Sequence, residues 1–155
     1  MPRVFLHDVA RPLLLAHGLC GIVASASALH LLVLTLHARR HAPQRQALLA
    51  LHARVVAVST TLCFALGLLL YPGYRVFVRG LVLDVDSPAL SNLFDFKEAM
   101  ALVALPLALV LPAVARAVGR GDNVIDVLRW FVLVLALVTL GCAGVGAWVT
   151  SVKGP

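Results

Sequence analysis

The sequence predicts an all-α integral membrane protein, an antiparallel four-helix bundle that forms one domain over residues 1–155. Three observations carry this prediction. Of the 155 residues, 61% are hydrophobic and only 13% charged, whereas soluble domains are nearer half apolar and a quarter charged. Four stretches, about 12–37, 48–71, 97–117 and 127–149, are apolar over the length that crosses a bilayer, which takes about 20 residues. Trp130 and Trp148 lie 18 positions apart in the last of them. That is about 27 Å along a helix, close to the hydrocarbon thickness, with one indole at each interface.

The first span follows Arg3 and Arg11. Ala24-Ser25-Ala26 resembles a signal-peptidase site, but the apolar run continues past it, so the segment reads as a retained helix. His17-Gly18-Leu19-Cys20 departs from a lipoprotein box, because leucine stands where a small residue is needed. The polar residues 41–45 form a short turn into the second span, and short links make neighbouring helices antiparallel. The connection 72–96 is longer. Its stretch from Tyr74 to Leu83 carries Arg75 and Arg79 among aliphatic and aromatic residues, which fits either a short interfacial helix or an extended lid. Asp95 and Glu98 have capping-box spacing at the start of the third span, where negative charge also suits the helix dipole. Pro106 and Pro112 then imply curvature, or room for a ligand beside that helix. A turn at 119–123 leads into the fourth span, capped by Asp122 or Asn123. Small-residue pairs at Gly21/Ser25, Cys142/Gly146 and Ala143/Ala147 suit close helix packing, because lipid provides no hydrophobic drive between helices.

The net charge of +6 points to topology rather than to nucleic acid, since no basic groove interleaved with aromatics is present. Seven of the thirteen basic residues fall on the side of the 38–47 and 118–126 turns, and Arg39, Arg40 and Arg45 crowd the first of these. Both turns are therefore expected on the cytoplasmic side of a plasma or inner membrane, with the termini opposite.

Groups able to do chemistry are the polar residues at membrane depth, which are costly there and often functional. His30 and His52 fall at matched depths on adjacent antiparallel helices, with Arg54 nearby. Facing imidazoles suit a b-type haem, with Arg54 for a propionate; inter-helix hydrogen bonding is the other reading. His17, Tyr71 and Glu98, with Tyr74 and Lys97, gather near the opposite membrane face. That set suits a quinone headgroup or a proton relay. His37 and His41 share a helical face, but no carboxylate in that turn completes a site, so no metal is assigned. Cys20, Cys63 and Cys142 all fall within spans and form no CxxC pair, so they read as small apolar residues.

No hydrolase, nucleotide-binding or metalloprotease motif is present, and no reaction is assigned. Two functions remain. One is a structural or accessory subunit, in contact with the lipid bilayer and with other membrane subunits or further copies of itself. The other is a haem- or quinone-binding subunit of electron transfer.

Overall fold

The computed structural model describes residues 9–37, 43–118 and 123–152. Four long helices dominate: α1 (Ala10–His37), α2 (Pro43–Gly73), α4 (Pro88–Ala117) and α5 (Val124–Val152). Each is long and apolar enough to span a membrane, so this is a multi-pass integral membrane protein. The helices form a square: α1 and α4 each pack against both α2 and α5. Neighbours run antiparallel, which places the α1–α2 and α4–α5 junctions at one end and the α2–α4 connection at the other. The turns 38–42 and 119–122, with His41, Arg39, Arg40 and Asp122, lie outside the described residues.

One side chain every three or four residues enters the main core. Ala28 and Leu31 do so from α1, and Leu49, Ala53 and Val56 from α2. Ala104, Ala108, Leu111 and Ala115 enter from α4, and Ile125, Leu128, Val132 and Leu135 from α5. Alanines and leucines share these core positions, which lets the helices approach closely. This core fills the half of the bundle nearer the α1–α2 junction. The outward positions are apolar as well, as at Leu15, Leu102 and Leu137, because the surrounding solvent is hydrocarbon. Helix ends in this half are tied by side chains. The Gln46 amide donates to the carbonyls of Arg116 (3.2 Å) and Val118 (2.6 Å) at the end of α4. The Arg129 guanidinium donates to the Thr35 carbonyl near the end of α1 at 3.0 Å, and pairs with Asp126 at 2.6 Å. Orphan carbonyls at helix C-termini need such donors, and a cation there also suits the dipole.

The connection expected over 72–96 is helical almost throughout. Residues Tyr74–Leu83 extend α2 as a π-helix, and a single turn, α3 (Asp84–Asp86), precedes Ser87. The phase explains the geometry. With i→i+5 bonding and about 4.4 residues per turn, Tyr74, Val78 and Leu83 fall on one face. An α-helix would place Leu83 about half a turn away from Tyr74. That face packs on Leu90, Leu93 and Phe94 of α4 and on Val145 and Val149 of α5.

The third long helix begins at Pro88, after Ser87, rather than near Lys97. Proline suits the first helical position because its missing N–H would have no partner there. Asp95 and Glu98 consequently lie inside α4, and the capping role expected of them is corrected. Asp95 is instead engaged by Arg79 of the π-helix through two hydrogen bonds, at 2.6 and 2.9 Å. Pro106 and Pro112 are accommodated without breaking α4. Trp130 and Trp148 both face outward, 67% and 58% exposed.

Candidate functional site

Between the main core and the Ser87 end, leucines give way to a polar layer. It is built from two contacts between helices, the first of them reciprocal. On one side, His17 of α1 meets Cys63 of α2. Its Nδ1 lies 2.8 Å from the Cys63 carbonyl, so Nδ1 carries the proton and donates. In the neutral ring this leaves Nε2 as an acceptor. The Cys63 thiol in return points to the His17 carbonyl at 3.6 Å. On the other side, the Cys142 thiol of α5 points to the carbonyl of Lys97 on α4, also at 3.6 Å. The thiols therefore tie helices together, which goes beyond the apolar filling the sequence suggested.

Glycines let these side chains into the bundle. A Cβ on Gly67 would lie 3.2 Å from His17 Cε1, and one on Gly146 would lie 3.5 Å from Lys97 Nζ. The Lys97 ammonium lies 4.5 Å from the centre of the Phe94 ring, a cation–π distance. Tyr74 stacks on the same Phe94 ring at 3.9 Å, and its hydroxyl is buried with no hydrogen-bond partner among the described residues. Counting from Cys142 to Trp148, the layer lies about 9 Å inside the level of the outer indole. The Lys97 charge reaches His17, Cys63 and Cys142.

Lys97 makes no ion pair with an acid among the described residues. The carboxylates nearer Ser87 are occupied. Arg79 holds Asp95 and also approaches Asp84 at 3.6 Å, and Asp84 accepts from Ser91. Glu98 is half-buried and acts electrostatically on both Tyr74 and Lys97. Tyr71 is half-buried one turn below Tyr74, and no hydrogen bond joins it to His17 or Glu98. Of the residues expected to form this site, the structure brings His17 and Lys97 to one layer, while Tyr74, eleven residues past Cys63 on the same helix, stacks on Phe94 nearer Ser87, with Glu98 acting on both Tyr74 and Lys97.

The second candidate set is divided. His30 and His52 come together, with ring centres 4.6 Å apart and planes inclined by 25°. They stack face to face, and His52 Nδ1 bonds the Leu48 carbonyl of its own helix at 2.9 Å. His30 is exposed on the outer surface. Axial ligation of one haem iron by both rings requires them to part and turn edge-on. Arg54 is also exposed, about 200° around the α2 axis from His52, and does not join the pair. His37 Nδ1 bonds the Val33 carbonyl at 2.9 Å, and no group of three or more potential metal ligands stands together among the described residues.

Cys63, Cys142, Phe94, Gly67 and Gly146 are the members of the layer that sequence reasoning does not assign to it. A signal for two of them was present. Thirteen residues back from His30 is His17, and thirteen forward from His52 is residue 65, between Cys63 and Gly67. The depth matching that pairs the two histidines thus pairs His17 with this stretch of α2. Compared with family models, curated proteins and solved structures, the chain matches none.

Proposed function

We propose that this chain is a small membrane subunit that takes the polar head of a membrane amphiphile, quinones being the first class to consider, into the layer at its Ser87 end. The observation that carries this reading is the Lys97 ammonium. It lies within the bundle without an acid partner among the described residues, in a layer with an accepting imidazole at His17, and the buried Tyr74 hydroxyl on the neighbouring Phe94 has no partner among them either. Ionisable groups at such depth are expensive unless something meets them. A quinone carbonyl accepts from Lys97 or Tyr74, and a quinol hydroxyl donates to His17 Nε2. Glu98 and Tyr71 flank the layer as proton-exchanging groups. The test is extraction and analysis of small molecules retained by the full-length protein after purification in mild detergent. A retained amphiphile lost in Lys97→Gln supports the reading, and a protein that retains none and binds none on titration refutes it.

A second reading, an accessory subunit held in a larger assembly, is favoured by the exposed face of α1 and α2. The stacked histidine pair lies there at membrane depth, where lipid tails offer no hydrogen bond and a neighbouring helix does. Replacing both His30 and His52 by leucine should then release a co-purifying partner or dissociate a self-assembly, read as a shift in native mass. The optical spectrum of the same preparation tests the b-type haem reading, since a Soret band would disappear in His52→Ala. The α1–α2 junction is assigned to the cytoplasmic side on its arginines. A single cysteine introduced at Gln44 should resist an impermeant reagent added outside intact cells.

A further inference from the structure

We propose that the outer seam between α2 and α4 holds an anionic phospholipid of the leaflet facing the α1–α2 junction, its phosphate on the guanidinia of Arg54 and Arg116. This surface lies at the opposite end of the bundle from the His17–Lys97 layer and is independent of the headgroup reading above.

Arg54 leads there. It is exposed on α2, eight residues beyond Gln46, whose amide meets the end of α4. That is about 12 Å further into the membrane. A guanidinium left in hydrocarbon is costly, and long basic side chains avoid this by reaching for the nearer interface. On α2 that is also the direction in which helical side chains lean, toward the helix N-terminus. Arg54 makes no hydrogen bond or ion pair among the described residues. Its bearing is set by His52, which stacks on α1. Arg54 stands about 200° round from His52, and α2 packs between α1 and α4, so Arg54 is turned to the α4 side.

Arg116 comes to the same seam from α4. It is exposed, and the Gln46 amide donates to its carbonyl at 3.2 Å, which places it beside α2. Its Nε donates to the Pro112 carbonyl at 3.1 Å, one turn deeper, so the guanidinium is folded back along α4 into the membrane. One guanidinium thus reaches outward from α2 and the other inward from α4. Neither pairs with an acid among the described residues.

The charges of the whole chain agree. By sequence, the α1–α2 junction end carries seven basic residues against two acids, Asp122 and Asp126, whereas the Ser87 end carries six against five. Asp126 is already held by Arg129 at 2.6 Å. The fork of a guanidinium matches two phosphate oxygens at once. The apolar part of a phospholipid also has a track here. Val58 lies one turn beyond Arg54, and Leu109 and Leu102 follow on α4; they are 59%, 57% and 63% exposed. The lipid lies against the outside of the bundle, so no cavity is needed.

The experiment is native mass spectrometry of the full-length protein, delipidated in neutral detergent and titrated with phosphatidylglycerol, phosphatidylcholine or cardiolipin of one chain type. Phosphatidylglycerol should bind at least about tenfold more tightly than phosphatidylcholine, since each basic residue near the surface adds roughly fivefold. Arg54→Gln and Arg116→Gln should each reduce the preference about fivefold, and the double variant should abolish it. Arg75→Gln, exposed at the other end of the bundle, should leave it intact. Tighter binding of cardiolipin than of phosphatidylglycerol would show two phosphates on the two guanidinia, and equal binding would show one phosphate between them; both support the site. Equal binding of phosphatidylglycerol and phosphatidylcholine overturns it. That comparison uses the unaltered protein and does not depend on how a variant folds. A preference that survives in the double variant, or that falls as far in Arg75→Gln, also overturns the site and leaves only a diffuse attraction to basic charge.

Discussion

The two halves of the bundle solve the same packing problem differently. Towards the α1–α2 junction, alanines and leucines interlock in repeating layers and fully bury Leu31, Leu111, Leu128 and Leu135. Towards Ser87, the buried apolar cluster among the described residues is a small group of Leu83, Leu90 and Val149, and contact between helices is also made by side chains bonding to the neighbour's backbone. In hydrocarbon neither half is held by expulsion of water, so shape and polar contacts decide. The first half is a scaffold in which nothing fits but itself. The second is joined at points, through His17–Cys63 and Cys142–Lys97, and its interior side chains remain partly accessible.

Substitutions in the two halves should therefore behave differently. Leu128→Ala, in the interlocked half, should cost roughly 2–5 kcal/mol, the range for buried leucines truncated to alanine. Leu93→Ala, half-buried near Ser87, should cost under about 1 kcal/mol. Unfolding in mixed detergent–SDS micelles compares the two, and equal losses would erase the distinction between the halves. Arg79→Gln should lower stability only slightly, because its ion pair with Asp95 is partly exposed. Gly67→Ala sharpens the comparison in another way. The gain in helix propensity, up to about 1 kcal/mol, is set against a Cβ only 3.2 Å from His17 Cε1. Stability should change little while binding in the layer weakens; the matching Gly146→Ala, with an ordinary 3.5 Å contact to Lys97 Nζ, should stabilise by up to about 1 kcal/mol. The smallest effect is expected from Thr60→Val. Its buried hydroxyl has no partner among the described residues, so an apolar group of the same shape should be neutral or stabilising by a few tenths of a kcal/mol.

The architecture was legible because each span is apolar over its whole length and the tryptophans of α5 mark both interfaces. What sequence could not give was phase. Tyr74–Leu83 is too short, and too mixed in residue type, to show that its apolar residues recur at π rather than α spacing. Sequence alone places the start of α4 too late because Asp95 and Glu98 imitate a cap, while Ser87-Pro88, the actual start, lies among residues polar enough to resemble a loop. In the candidate site, Lys97 and His17 stood out because ionisable residues are rare at that depth. Cys63 and Cys142 did not, since a cysteine's composition is equally consistent with inert filling. The pairing of His30 with His52 followed from depth alone, whereas the position of Arg54 depends on the angle around α2, which separates residues only two apart in sequence.

The π-helix has a consequence for the length of the chain. Ten residues at about 4.4 per turn advance the helix by about 820°, and eight residues of ordinary α-helix advance it by about 800°. The segment Tyr74–Leu83 thus delivers Leu83 to the same bearing that an α-helix two residues shorter would reach. It behaves as an α-helix that has absorbed an insertion by widening its coil, and the widened turns present Arg79 to Asp95 while Tyr74 stays on Phe94. A chain with Val76 and Phe77 removed could relax to an ordinary helix and still seat Leu83 against Val149. It would lose the bearing of Arg79 relative to Tyr74, which only the wider coil supplies.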